Sequence, residues 1–151
     1  LTLANMECVR FKVGDYRMSV PARQVFQFLD YSASRDSVRL IGEKEYILYE
    51  NRMVPFIDLR KLYCLGGEVP ENSIVIYVQG KKQKGFILAD SLYEQKRIVI
   101  KQLPALFGID FRRNTGVSGC SIMGDGKICA ALDAEILISR YEKEGAYASR
   151  L

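Results

Sequence analysis

The chain reads as an all-β protein built from two small antiparallel barrels of about five strands each. Three observations lead there. Apolar residues recur with period two almost throughout. The candidate strands are short and evenly spaced, with Gly, Asn and Asp between them. One turn-rich seam, GGEVPEN from Gly66 to Asn72, leaves about five strand candidates on each side.

In Cys8–Val13, the residues Val9, Phe11 and Val13 face one way, and Arg10 and Lys12 face the other. Tyr16, Met18 and Val20 repeat the pattern, with Arg17 and Ser19 outward. Gly14-Asp15 between these runs suits a type II′ hairpin turn, whose twist matches that of the strands. Ser37–Ile41, Glu45–Tyr49 and Arg52–Ile57 follow, and Asn51 tolerates the positive φ of the last turn. Beyond the seam, Ser73–Val78 is apolar on both faces and is expected to be covered on both sides. Gly85–Ala89, Arg97–Lys101, Gly119–Met123 and Lys127–Leu132 complete the strands. One helix is expected after Asp133, a good N-cap, with Glu135 in the positive first turn. Leu132 and Leu137 form a hydrophobic staple, Ile136, Leu137 and Tyr141 turn inward, and Gly145 is the stop. A short helical turn is expected at Asp58–Tyr63, and Pro104–Asn114 reads as irregular.

A chain of 151 residues suits one domain, or two subdomains sharing a core. Its 48% hydrophobic and 26% charged residues are ordinary for a soluble protein. No apolar run reaches the roughly 20 residues of a membrane span, and no leader for export is visible. The chain opens on Leu1, inside an apolar stretch, and is expected to be cut from something longer. Cys8, Cys64, Cys120 and Cys129 are widely spaced and read as buried free thiols in a reducing compartment.

There is no histidine. That removes the commonest general base and the Ser-His and Cys-His nucleophile pairs, and it leaves the cysteines without a partner for zinc. Gly119 to Lys127 fails as a phosphate loop. Asp125 stands where the lysine belongs, and a strand pattern comes before the helix. Gly124-Asp125-Gly126 is instead a hairpin turn. Asp90 and Glu94 lie four apart between a strand and a loop, a weak arrangement for paired-carboxylate chemistry. Lys81, Lys82 and Lys84, and Arg112 with Arg113, have no interleaved aromatics to stack bases. The expectation is a non-enzymatic domain with no metal and no cofactor.

Three blocks then resemble a known family. The opening LTLANMECVRFKVGDYRMSVPARQV is similar to the join between the ATP-binding and regulatory domains of CheA-type chemotaxis histidine kinases, including a hydrophobic-Pro-x-x-x-Val step at Val20–Val25. In GFILADSLYEQKRIVIKQL, Gln95, Val99, Ile100, Lys101 and Leu103 match the family's pattern. GVSGCSIMGDGKICAALDAEIL resembles its last hairpin, strand and helix. Glu50 and Asn51 stand where the family usually carries Arg-Gly, which reverses a charge, and Lys96-Arg97 replaces more neutral or acidic residues.

The resemblance implies a CheW-like fold of two SH3-like five-stranded barrels with a short C-terminal helix. It divides the chain into a strand ending the kinase domain (1–5), a first barrel (6–66), a second with the closing helix (67–144) and a tail (145–151). It also implies a regulatory domain that binds a CheW-type adaptor and couples chemoreceptor tips to the rest of the kinase. Such a domain is cytoplasmic, associated with membrane-receptor arrays, and neither inserts into the membrane nor binds nucleic acid. Exposed apolar residues near strand ends are the candidate contacts: Phe26, Phe28, Leu29, Tyr31, Val38 and Leu40, with Glu50, and in the second barrel Leu92, Glu94 and Asp125. The alternatives are a free-standing CheW-type adaptor and a small-barrel nucleic-acid binder. The pI of about 8.9 and the lysine turn are all that supports the latter.

Overall fold

A computed structural model of the chain describes residues 3–103 and 108–143. The strands are β1 (Leu3–Val13), β2 (Tyr16–Pro21), β3 (Val25–Asp30), β4 (Val38–Ile41), β5 (Lys44–Tyr49), β6 (Arg52–Asp58), β7 (Ile74–Gln79), β8 (Lys84–Ala89), β9 (Ser91–Gln102), β10 (Val117–Ile122) and β11 (Ile128–Leu132). The helices are α1 (Tyr31–Ser34), α2 (Leu59–Leu62), α3 (Gly108–Thr115) and α4 (Ala134–Lys143). The expected stop at Gly145, the tail 145–151 and residues 104–107 of the irregular stretch lie outside the described residues.

β1-β2-β11-β10-β9 close into a five-stranded barrel, and β3-β7-β8-β6-β5-β4 form a six-stranded sheet. Most neighbours are antiparallel, but β2 with β11 and β6 with β8 are parallel. The six-stranded sheet curls, because Leu29 of β3 and Val38 of β4, its two edge strands, pack on one cluster with Ile47, Phe56 and Phe86. It holds one strand more than expected. The register shifts between Val25 and Gln27, and the bulge breaks the period-two pattern over β3.

The division expected at Gly66 does not follow the strand pairing. β1 and β2 join β9, β10 and β11 in the barrel, and β3 to β8 run through the seam. Turn residues mark where the chain bends at the surface and carry no record of which strands pair. Leu3 to Asn5, expected as the end of a preceding domain, begin β1 and pair with Lys101 to Val99 of β9.

The main core lies between the two sheets. Val9, Phe11 and Val13 of β1 meet Met18 and Val20 of β2, Ile76 and Val78 of β7, Ile87 of β8 and the Leu137–Tyr141 face of α4. β1 is covered on its other face too. Arg10, Arg17 and Ser19, expected to point outward, line the barrel interior instead, and Arg10 is only 3% exposed. A closed barrel turns one face of every strand inward, so Arg10 meets Glu94 and Ser121 across it rather than solvent.

The turns behave as their residues dictate. Gly14 adopts φ +60 between Val13 and Tyr16, as a II′ turn requires of its first residue. In the last hairpin Met123 donates its N–H to the Lys127 carbonyl across a three-residue loop with Gly126 at φ +84. Asp58 caps α2, accepting from the Arg60 and Lys61 N–H groups at 2.9 and 3.4 Å. Asp133 caps α4 through the Ile136 N–H, while Gln24 Oε1 accepts from Ala134. Glu135 accepts from the Lys82 and Gln83 N–H groups, tying α4 to the lysine turn between β7 and β8. Leu137 and Tyr141 are buried as expected, Ile136 only partly, and Ile138 takes a full place in the core. α3 falls inside the stretch read as irregular, where FRRN offers no apolar stripe to announce a helix.

Candidate functional site

Two groups of exposed apolar residues distinguish the surface. The first lies on the six-stranded sheet. Its edge strands carry Phe26 (58% exposed) and Phe28 on β3, and Leu40 (68%) and Ile41 on β4. Leu48 of β5 and Met53 of β6 are opposite each other in register and also exposed. The second group lies on the barrel. Ile122 pairs with Ile128, and the register of Arg17 with Cys129 brings Tyr16 alongside Ile128. Val99, Leu92 and Tyr93 of β9 are exposed as well.

The expected contact residues divide accordingly. Phe26, Phe28 and Leu40 are exposed at the two edges of the curled sheet. Leu29, Tyr31 and Val38 are half-buried against its core, and the Tyr31 ring stacks on Phe56 with centroids 6.2 Å apart. Glu50 is exposed in the β5–β6 turn, at φ 50 beside Asn51 at φ 63. Leu92 is exposed at the start of β9, and Asp125 is exposed in the β10–β11 turn with its Oδ1 on the Lys127 N–H. Ile41, Leu48, Met53, Tyr16, Tyr93, Val99, Ile122 and Ile128 were not singled out from the sequence. An apolar residue at an outward position of an alternating strand was the available signal, as at Leu48 opposite Met53.

Asp90 and Glu94 do not act as a pair. Asp90 takes Arg60 through two hydrogen bonds of 2.5 and 2.9 Å and accepts the Gly14 N–H at 2.8 Å. Glu94 stays exposed while its carboxylate meets the buried Arg10 at 2.9 Å. Arg17 lies under the Tyr93 ring at 5.2 Å, with Asp125 3.9 Å from its guanidinium.

The barrel interior also holds two thiols, Cys8 and Cys129. Burial, with Cys129 nearby, pushes the Cys8 thiol up to about 11, and burial raises Cys129 too. Cys64 is exposed and Cys120 half-buried, against the expectation of four buried thiols, because α2 ends at Leu62 and Cys64 sits beyond it at φ 55. Since the thiolate is the reactive form, iodoacetamide at about pH 8 is expected to modify Cys64 first and Cys120 more slowly. Cys8 and Cys129 should react only after denaturation. Peptide mass spectrometry of the native and unfolded chain reads the order directly.

Among the described residues no helix is long and apolar enough to cross a membrane. The family model described as "CheW-like domain" matches residues 7–142. The chain is 25% identical over 139 residues to the chemotaxis protein CheA of Klebsiella aerogenes, covering 91% of this chain and 21% of that protein. Against CheA of Salmonella typhimurium the identity is also 25%, over 91% of this chain and 20% of the relative. The chain thus spans about a fifth of the length of these relatives. Among solved structures, the scaffolding protein TtCheW from Thermoanaerobacter tengcongensis superposes with a TM-score of 0.65 at 20% identity, over 85% of this chain and 89% of that one. That likeness is one of overall fold, and the family match starts within β1 and ends within α4, taking in both sheets and the core between them: the chain belongs to the family of CheW-like domains.

Proposed function

We propose that this chain is the regulatory part of a CheA-type chemotaxis histidine kinase, which docks a CheW-type adaptor and so couples chemoreceptors to the kinase. The match that runs along 91% of this chain but only about a fifth of CheA carries the reading, since it fits one module of a longer kinase. The exposed Phe26, Phe28 and Leu40 on the edge strands supply the docking surface. Edge strands present unpaired backbone groups beside apolar side chains, which favours association with a second sheet. Leu92, Glu94 and Asp125, on the other barrel, form a second contact, with Glu50 setting partner preference by its charge. The work is done by contact rather than by a reaction.

A calorimetric titration with a CheW-type adaptor tests this. Saturable one-to-one binding at moderate salt is expected. Phe28→Asp and Leu40→Asp are each expected to weaken it at least about ten-fold while leaving the urea midpoint unchanged, because both side chains are exposed. Unchanged affinity in both folded variants removes these edges from the interface. The second reading, a free-standing adaptor, is favoured by the likeness to TtCheW over most of both chains. It predicts binding to a kinase regulatory domain in place of the adaptor.

A further inference from the structure

The barrel closes unevenly. β1 follows β9 from Leu3↔Lys101 to Lys12↔Ser91, but β9 meets β10 only at Gly119↔Gln102 and Cys120↔Lys101. Beyond Cys120 the two strands part, and a cavity of about 350 Å³ opens between them. Arg10, Lys96 and Lys101 line it together with the Ser121 hydroxyl, and Ile98 and Ile122 supply apolar wall.

Arg10 is the unusual group. Its Nη1 donates to Glu94 Oε2 at 2.9 Å and its Nη2 to Ser121 Oγ at 3.0 Å. Its buried Nε–H has no acceptor among the described residues. A buried donor on a cation is costly to leave unmatched. Glu94 is 38% exposed and is the carboxylate that Arg10 holds, so three cations meet one anion around the cleft. Arg17 adds a further cation in the same barrel, and its Nε–H is also unmatched. Its guanidinium faces Tyr93 and Asp125 rather than the cleft.

Positive charge in surplus, an unmatched buried donor and an apolar wall in one cavity are complementary to an anion with an apolar body. The volume falls in the range of small-molecule sites. We propose that the cleft between β9 and β10 binds a small organic anion. Its carboxylate or phosphate group takes the Arg10 Nε–H and the Lys96 and Lys101 ammonium groups, and its carbon skeleton lies against Ile98 and Ile122. Arg10 belongs to the inner face of the barrel, which a free anion reaches more readily than an acidic side chain held on a folded partner.

The test is an NMR titration of the ¹⁵N-labelled chain with succinate and with inorganic phosphate, in parallel with a glutamate-rich peptide. Saturable shifts are expected with either free anion at the Arg10 side-chain Nε–H and at the amides of Lys96, Val99 and Ser121, all reporting one affinity. The double variant Lys96→Gln, Lys101→Gln should bind at least about ten-fold more weakly, and both lysines are exposed, so the fold is kept. Shifts that fail to saturate, or that persist unchanged in the double variant, mean an adventitious ion only and overturn the proposal. A saturable response to the peptide alone overturns it too, in favour of docking of an acidic partner segment.

Discussion

Replacing Phe11 by alanine is expected to destabilise the chain by about 3–5 kcal/mol, which would shift the urea midpoint further than the loss of any exposed aromatic. Phe11 is fully buried at the centre of the core between the two sheets. Its neighbours there come from both sheets and from α4, a wall of several rigid elements that cannot easily collapse into the space left behind. Phe28→Ala, at an exposed site, is the control and should cost less than about 1 kcal/mol. Equilibrium urea unfolding followed by circular dichroism reads both. A loss below about 1 kcal/mol for Phe11→Ala would mean that the two sheets are stable without their shared core.

The second large effect is expected at Asp90. Arg60 and Asp90 are nearly buried, with side chains 10% and 12% exposed, and together they join three segments. Asp90 holds the β1–β2 turn through the Gly14 N–H, its own N–H donates to the Lys12 carbonyl, and Arg60 on α2 reaches on to the Gly66 carbonyl. The Asp90 carboxylate in turn raises the Arg60 guanidinium above its ordinary value. Asp90→Ala strands a guanidinium and an N–H away from water, and should cost about 3–5 kcal/mol. The double variant Asp90→Leu, Arg60→Met should regain most of that loss, since an apolar pair removes the unmatched charge. If the double variant is no better than the single, the Gly14 contact matters more than the ion pair, and urea midpoints of the three proteins decide it.

Much of this was legible from residue order. Gly14-Asp15 and Gly124-Asp125-Gly126 announced their hairpins because positive φ is a local demand. Asp133 announced its helix because a cap bonds within its own turn. Asp90 and Glu94 were harder. Their spacing suggested one site, but each is matched by an arginine from a distant strand or helix. Among the docking candidates, Tyr31 and Phe28 are similar in composition and only three positions apart. Tyr31 stacks on Phe56 while Phe28 meets solvent, a difference that only the packed sheet decides.

The all-β class, the hairpins and the closing helix with its cap were therefore written in the chain itself, since each depends on contacts within a few residues. Which strands share a barrel was not. The parallel pairings of β2 with β11 and β6 with β8 join segments that lie far apart in sequence, and period-two alternation is identical whichever neighbour a strand chooses. The same holds for the direction in which Arg10 points. Alternation assigns it a face, and only closure of the barrel makes that face an interior.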